Sequence, residues 1–265
     1  MSTYKYQSDF NLGGIFLSDM GGVIYDTDDW KRTMNQLPEI EHSTDKDSVN
    51  DGERYIQSRY QTRQFENIPI IWKKDTDLAK VRAWLGSKEP QIFYWRDDEE
   101  HKQILAIYNK SIDFGGFYGD NNEYIGQMES ISFIAHDPLW TIRGEYERKF
   151  NPANIGQDYL IKSNGNIKSS PIIRIKVPST QATVQFIWNN SLTITLTNVL
   201  NEIYIDCDMG EVYEYKNGIK DYQMIKFTSN SNYDMPEIEP FVWNKIKLLS
   251  GSVSEIGVTI NSKII

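Results

Sequence analysis

The chain has 265 residues, 39% of them hydrophobic, enough to bury two modest cores, so two domains are expected. A net charge of −9 and a pI near 5.0 exclude a nucleic-acid binder working through clustered Lys and Arg. A single cysteine, Cys207, excludes an internal disulfide, and His42, His101 and His136 are too scattered in sequence to suggest a zinc site with it. The first residues, Met-Ser-Thr-Tyr-Lys-Tyr-Gln, show no apolar signal core, and no segment approaches the roughly 20 apolar residues of a membrane-spanning helix. The chain is therefore expected to stay in the cytoplasm unless it leaves as part of something larger.

Residues 4–17 alternate loosely and pass through Gly13-Gly14, with a second pair at Gly21-Gly22, which predicts a hairpin or two short strands with a tight turn. Neither pair is followed by the helix and Lys-Ser/Thr end of a phosphate-cradling loop. Residues 25–52 are polar, with Asp26, Asp28, Asp29, Glu39, Glu41, Asp45, Asp47 and Asp51, and read as one long loop, either an interaction element or plain disorder. Residues 54–72 return to strand composition. A helix follows over 75–85: Asp75 or Thr76 caps it, Leu78, Val81, Trp84 and Leu85 share one face, and Gly86 with Pro90 stops it. Residues 91–95 and 103–108 flank the charged run 97–101 as a hairpin, and strands are expected over 111–114 and 126–135, joined by a Gly-, Asn- and Tyr-rich loop.

The alternating strand that ends at Asp137-Pro138 marks a domain seam. Gly144, Asn151-Pro152, Asn164-Gly165 and Ser169-Ser170 make residues 141–170 a linker carrying one strand around 159–162. From Pro171 the chain reads as short strands and turns, over 171–177, 183–188, 192–196, 202–209, 212–215, 242–249 and 256–264, with Asn217-Gly218 as a type I′ turn; this is the pattern of a β-sandwich. In the 202–209 run, Ile203, Ile205, Cys207 and Met209 share one face, and Tyr204, Asp206 and Asp208 the other.

Catalytic chemistry is scarcely legible. Asp206 and Asp208 could hold a divalent cation, but no third or fourth oxygen ligand is nearby, and a solvated strand face explains them. The run Asp97-Asp-Glu-Glu-His101 reads as a water-facing turn, and Cys207 as packing; serine nucleophile elbows and metalloprotease helices are absent from the sequence. No catalytic residue, metal or cofactor is expected. Seven Trp and sixteen Tyr could be sugar-stacking platforms or core and interface residues. Trp84 is core by periodicity, whereas Trp188 and Trp243 are candidates for contact with a sugar or a partner.

Several of these stretches together resemble the distal tail proteins of long-tailed phages of Gram-positive hosts. They are Ser18-Asp-Met-Gly21, Pro38 with Asp51-Gly52, Arg63-Gln-Phe-Glu-Asn-Ile-Pro-Ile70, Trp84-Leu85, Ile92-Phe-Tyr-Trp95 and the exit from Phe133 to Pro138. In the second half the matching pieces are Pro171-Ile-Ile-Arg-Ile-Lys176, Ile203-Tyr-Ile-Asp206 with Gly210, and Leu248-Leu-Ser-Gly251. The sequence departs from the family's frequent Pro-Gly-Arg-Asp-Gly loop and Gly-x-Asn late segment. The resemblance implies a mainly β chain: an N-terminal β-barrel-like ring-forming domain with one α-helix (residues 1–140), a linker and first strand region (141–170), and a C-terminal galectin-like β-sandwich (171–265). It implies a homohexameric, non-enzymatic hub at the virion tail tip, assembled in the host cytoplasm and letting DNA pass. Its implied partners are the tail tube, tape-measure, tail-associated hub/lysin and receptor-binding proteins. Asp26, Trp30, Pro38, Asp51 and Gly52 would then lie at the ring interface. The competing expectation is a lectin-like, carbohydrate-binding adhesion sandwich; a glycoside-active enzyme would need two carboxylates facing across a pocket, which the sequence does not display.

Overall fold

The computed structural model describes residues 9–25, 38–47, 52–96, 98, 101–111, 114–151, 155–178, 182–231 and 234–265. The chain divides into two compact units, Met1–Trp140 with Ile265, and Thr141–Ile264. It is mainly β throughout, with one α-helix among the described residues.

The first unit opens with β1 (Phe10–Leu12) and β2 (Ile15–Phe16), joined through Gly13 and Gly14 at φ of 62° and 90°, the hairpin that the glycine pair predicts. Positive φ at both turn residues is what makes glycine necessary there. A short 3-10 turn then leads into β3 (Gly22–Ile24), β4 (Ile40–Asp47), β5 (Gly52–Tyr60) and β6 (Arg63–Lys73). Next come α1 (Leu78–Leu85), β7 (Gln91–Trp95), β8 (Lys102–Tyr108), β9 (Gly115–Tyr118) and β10 (Tyr124–Ala135). The strands lie in the order β2-β1-β7-β8-β10-β6-β3, with β9 also on β10. Strands β6 and β10 form the spine, bulged between Ile131 and Phe133, where the Ser132 hydroxyl accepts from the Asn67 amide.

Aromatic side chains fill this unit. Phe10 lies 5.3 Å from Phe93, 5.6 Å from Phe133 and 5.8 Å from Trp95 by ring centroids, and stacks on Trp84 of α1 at 6.0 Å. Trp84 is core, as its periodicity predicts, and its indole N–H donates to the Leu12 carbonyl at 3.0 Å. The helix begins later than expected: Asp77, not Asp75 or Thr76, caps it by accepting from the Ala79 and Lys80 amides. Thr76 instead turns its hydroxyl toward the Gly21 carbonyl, so the third residue of Asp-Thr-Asp is the one left facing the first turn. The hairpin of β7 and β8 is as expected. Strand β9 falls inside the stretch read as a loop, with Gly115 and Gly116 opposite Met128 and Gln127 of β10, directly after the strand expected over 111–114. Residues 112 and 113 lie outside the described residues.

The stretch read as one long loop is corrected in its second half. Strands β4 and β5 pair with each other from Ile40↔Tyr60 to Asp47↔Gly52 and, among the described residues, belong to no larger sheet. Period-two hydrophobicity is missing from Ile-Glu-His-Ser-Thr-Asp-Lys-Asp, and among the described residues this ribbon joins no larger sheet, so the alternation that marks a half-buried strand was not there to be read.

Strand β11 (Trp140–Ile142) straddles the seam, and the second unit then comprises β12 (Arg148–Phe150), β13 (Asp158–Lys162), β14 (Ile172–Lys176), β15 (Ala182–Trp188), β16 (Leu192–Val199), β17 (Glu202–Asp206), β18 (Glu211–Lys216), β19 (Ile219–Tyr222), β20 (Phe227–Ser229), β21 (Trp243–Ser250), β22 (Glu255–Thr259) and β23 (Lys263–Ile264). Two sheets, β12-β22-β14-β17-β18-β19 and β13-β21-β15-β16-β20, face each other. Alternate residues of both enter one core, among them Ile173, Ile175, Ile203 and Ile205 from the first sheet and Val184, Phe186, Ile194 and Ile246 from the second. Asn217 and Gly218, at φ of 53° and 79°, make the expected turn between β18 and β19.

Residues 141–170 are not a free linker. Strand β12 pairs with β22, and Glu145 accepts from the Ser262 amide (2.7 Å) and hydroxyl (2.6 Å), so the stretch is built into the sandwich. The strand at 158–162 is present as expected. Polar turn residues disguised the rest, since their partners are a hundred residues away in sequence. The 202–209 run is also shorter than expected. Strand β17 stops at Asp206, whose carboxylate accepts from the Met209 amide to close a turn, and Met209 is 66% exposed instead of joining Ile203 and Ile205.

Candidate functional surfaces

The residues singled out from the sequence separate sharply once placed: Trp188 and Cys207 border one cavity, and the others described lie apart from it. Asp206 is buried by its turn, while Asp208 points to solvent near the Lys263 ammonium at 3.5 Å. The two carboxylates therefore do not share a face in the way strict alternation predicts. Cys207 lies in the core, where burial, reinforced by Asp206 and Asp208, pushes its thiol well above the ordinary range, so it stays protonated. Asp97, Glu99 and Glu100 lie outside the described residues; Asp98 caps the turn by accepting from the Lys102 amide at 2.7 Å.

Trp188 and Trp243 are on strands of the same sheet but face opposite ways. Trp188 is 2% exposed, and its indole N–H donates to the Glu237 carbonyl at 2.8 Å, so it is core and not a stacking platform. It forms one wall of a cavity of about 570 Å³ shared with Cys207, Met235, Asp234, Glu237 and Asn189. Trp243 is 60% exposed. What holds it outward is Asn244, fully buried: its amide oxygen accepts from Asn189 and from the Glu239 amide, and its nitrogen donates to the Glu239 and Val242 carbonyls. That knot fixes a turn in which Phe241 has φ of 64°, an uncommon conformation for a bulky side chain, and leaves Phe241, Val242 and Trp243 all exposed.

Trp243 begins β21, and period two puts Lys245 and Lys247 on its face. The register brings Lys162 opposite Trp243, Leu160 opposite Lys245 and Asp158 opposite Lys247. Lys162 lies 5.9 Å from the indole centroid, and Lys245 and Lys247 share the single carboxylate of Asp158 at 3.4 and 2.9 Å. The hydrogen bond from Lys247, then those from Lys245, hold the Asp158 carboxyl below its usual range. Next to Lys247 the outer face carries Ile187, and farther across it turns neutral and polar: Gln185 donates to the Thr195 hydroxyl at 3.2 Å, and Thr195 stands opposite Thr228.

The other sheet carries a cluster that sequence reasoning missed. Arg174, between the core residues Ile173 and Ile175, points outward and engages Glu147 through two hydrogen bonds, Glu202 at 2.6 Å, and Glu255. Gly257 leaves the space: a Cβ there would lie 2.0 Å from the Glu147 carboxylate. The same cross-strand row continues through Tyr204 and Tyr213 to Tyr222, with Tyr204 and Tyr213 stacked at 5.3 Å. Burial raises Tyr204 and Tyr213 to about 12, with Glu202 adding to the effect at Tyr204. The available signal was an arginine alone in an apolar strand, which demands charged partners. The Trp-x-Lys-x-Lys spacing of β21 was likewise present and unread.

Of the ring-interface candidates, Asp26, Trp30 and Asp51 lie outside the described residues. Pro38 is buried at the entry to the β4–β5 ribbon and Gly52 starts β5. The ribbon is closed at its base by the Gln61 amide donating to the Glu39 carbonyl (2.7 Å) and braced across by Arg59 on Glu41.

No family model matches the sequence, and no curated protein matches it. Among solved structures, the Dit (gp 19.1) protein of phage SPP1, described as a paradigm of the hub adsorption apparatus in Gram-positive-infecting phages, aligns over 98% of this chain and 100% of its own, with TM-score 0.66 and 14% identity. The phage P2 baseplate in its activated conformation with Ca aligns at TM-score 0.48 and 10% identity (98% and 100% covered), and the form with Sr at 0.49 and 11% (96% and 97%). The chain has, from end to end, the fold of the SPP1 Dit protein.

Proposed function

We propose that this chain is a structural, non-enzymatic hub at the distal end of a long phage tail. In this proposal six copies form a ring that joins the tail tube to the host-adhesion device and lets DNA pass. The observation that carries this is the end-to-end correspondence with the SPP1 Dit fold, both units included and neither chain left over. The first unit makes the ring, and the polar stretch around Asp26, Trp30, Pro38, Asp51 and Gly52, with the β4–β5 ribbon, reaches a neighbouring subunit. Among the described residues the ribbon joins no other strand, and such a hairpin is most safely covered by another chain. The second unit faces outward and carries adhesion components; the tail tube, tape-measure, tail-associated hub/lysin and receptor-binding proteins are the partners, and the tail tip of the virion, after assembly in the host cytoplasm, is its place. A net charge of −9 suits a channel through which DNA must slide without sticking.

Native mass spectrometry of the full chain tests this. The expected species is six times the 30.9 kDa chain mass. Removal of residues 40–60, closed by a short Gly-Ser link, is expected to release folded single subunits. A full chain that stays monomeric at high concentration, while folded, overturns the proposal.

A further inference from the structure

We propose that the outer face of the five-stranded sheet binds an acidic polysaccharide, with the Trp243 indole stacking on a sugar ring and Lys162, Lys245 and Lys247 pairing with its anionic groups. This goes beyond the hub function and does not depend on it.

Three features of the face support it. Its charge opposes that of the chain: the outward positions of β13 and β21 hold three lysines and one aspartate, a net +2 on a protein of net −9. Its aromatic group is held ready, since the buried Asn244 fixes the turn and leaves the indole exposed before anything binds; such preorganisation lowers the entropy lost on association. Beyond Leu160 and Ile187, which stand opposite Lys245 and Lys247, it offers a hydrogen-bonding surface, with amide and hydroxyl groups of Gln185, Thr193, Thr195 and Thr228 along neighbouring strands. Lys245 and Lys247 are two residues apart on one strand, about 7 Å along the sheet, a spacing on the scale of a sugar unit.

A glycan fits these features better than the other polyanions. Nucleic acid presents a charge about every 1.7 Å of duplex and is held by dense Lys and Arg, or by runs of aromatic platforms when single-stranded; this face has three cations and one indole. An acidic protein partner would favour a broad apolar centre, whereas Leu160 and Ile187 stand singly opposite Lys245 and Lys247 and the strands beyond carry threonine and glutamine.

Affinity electrophoresis of the full chain in gels containing polygalacturonate, dextran or poly-L-glutamate, with fluorescent oligothymidylate as a fourth probe, tests the assignment. Polygalacturonate is expected to retard the protein at low salt, and dextran not. Trp243→Ala should weaken the polygalacturonate interaction about tenfold, the scale of one lost stacking contact, and Lys245→Gln with Lys247→Gln should cut its salt dependence to about a third, the share left to Lys162. Both variants lie on the exposed face, and an unchanged unfolding midpoint verifies that they fold. Absence of retardation by polygalacturonate overturns the proposal. So does equal binding of poly-L-glutamate or oligothymidylate with no effect of Trp243→Ala, which would mark a patch for acidic protein or nucleic acid instead. Ring mass is read separately, so failure here leaves the hub proposal standing, and the reverse.

Discussion

Replacing Arg174 with glutamine should destabilise the second unit by about 3 kcal/mol at neutral pH, and the loss should shrink on acidification. The Arg174 side chain is 11% exposed, but its three carboxylate partners are 25–33% exposed, so they sit between the surface and buried limits. An exposed pair contributes up to about 1 kcal/mol, and breaking a fully buried one costs about 3–5. Three pairs, each near the upper end of the exposed range, give about 3 kcal/mol, because the stranded glutamates can partly rehydrate. The hydrogen bond from Arg174 is the main cause that lowers the Glu255 carboxyl below its ordinary value. A depressed carboxylate contributes stability that is complete above its unfolded pKa, about 4.3, and is lost as pH falls through the folded value. The wild type thus loses the Glu255 share of this contribution progressively as pH falls below about 4, while the variant has none to lose. Arg174 itself is held above its already high value, mainly by Glu147, so no matching loss is expected on the alkaline side. Native-state hydrogen exchange of the amides in β14, β17 and β22, at pH 7 and at about pH 2, reads the difference where it arises. An equal deficit at both pH values would refute the electrostatic account and assign the effect to packing of the arginine stem. Arg174→Lys should recover at most one of the three pairs, since a compact ammonium cannot fork to several carboxylates as a guanidinium does.

Phe10→Ala should cost the first unit about 3–5 kcal/mol, since four rings pack on it, and should leave exchange in the second unit unchanged. Gly126→Ala should destabilise the β6–β10 ladder by about 2 kcal/mol or more, because the new methyl would lie 2.0 Å from the Trp72 carbonyl; thermal unfolding measures both. Asp208→Asn and Asp206→Asn should each stay within about 0.5 kcal/mol, whereas Asp206→Ala should cost about 1 kcal/mol by removing the acceptor of the Met209 amide; urea unfolding of the three variants separates the turn from a charge effect.

The elements best legible in the sequence are those whose partners are near in the chain. Gly13-Gly14 and Asn217-Gly218 specify their hairpins because positive φ is a local demand, and Trp84 declares its burial through helical spacing. Failures follow sequence distance. Glu145 looked like a linker residue because Ser262 lies 117 positions away, and Arg174 gave no hint of Glu255. Met209 failed for a different reason: Asp206 ended the strand with its own side chain, a local competition that alternation alone cannot register. Of the two tryptophans singled out, the buried one and the exposed one obey the same period, and only knowledge of which face of the sheet met the core could tell them apart.

The β4–β5 ribbon is where local order and composition disagree most, and that disagreement bears on assembly. Ordering each of its residues costs about 1–2 kcal/mol of backbone entropy, and each ladder hydrogen bond returns about 1 kcal/mol net. A hairpin that belongs to no larger sheet is marginal in water, and the Arg59–Glu41 pair at its surface adds little. Apolar burial normally supplies the balance, yet Ile40 and Tyr60, the pair at its base, remain exposed in the single chain. A second surface that covers those two side chains would supply it. In a closed ring every copy offers that surface to the next, so the same burial is gained at each interface and no edge is left to recruit further chains.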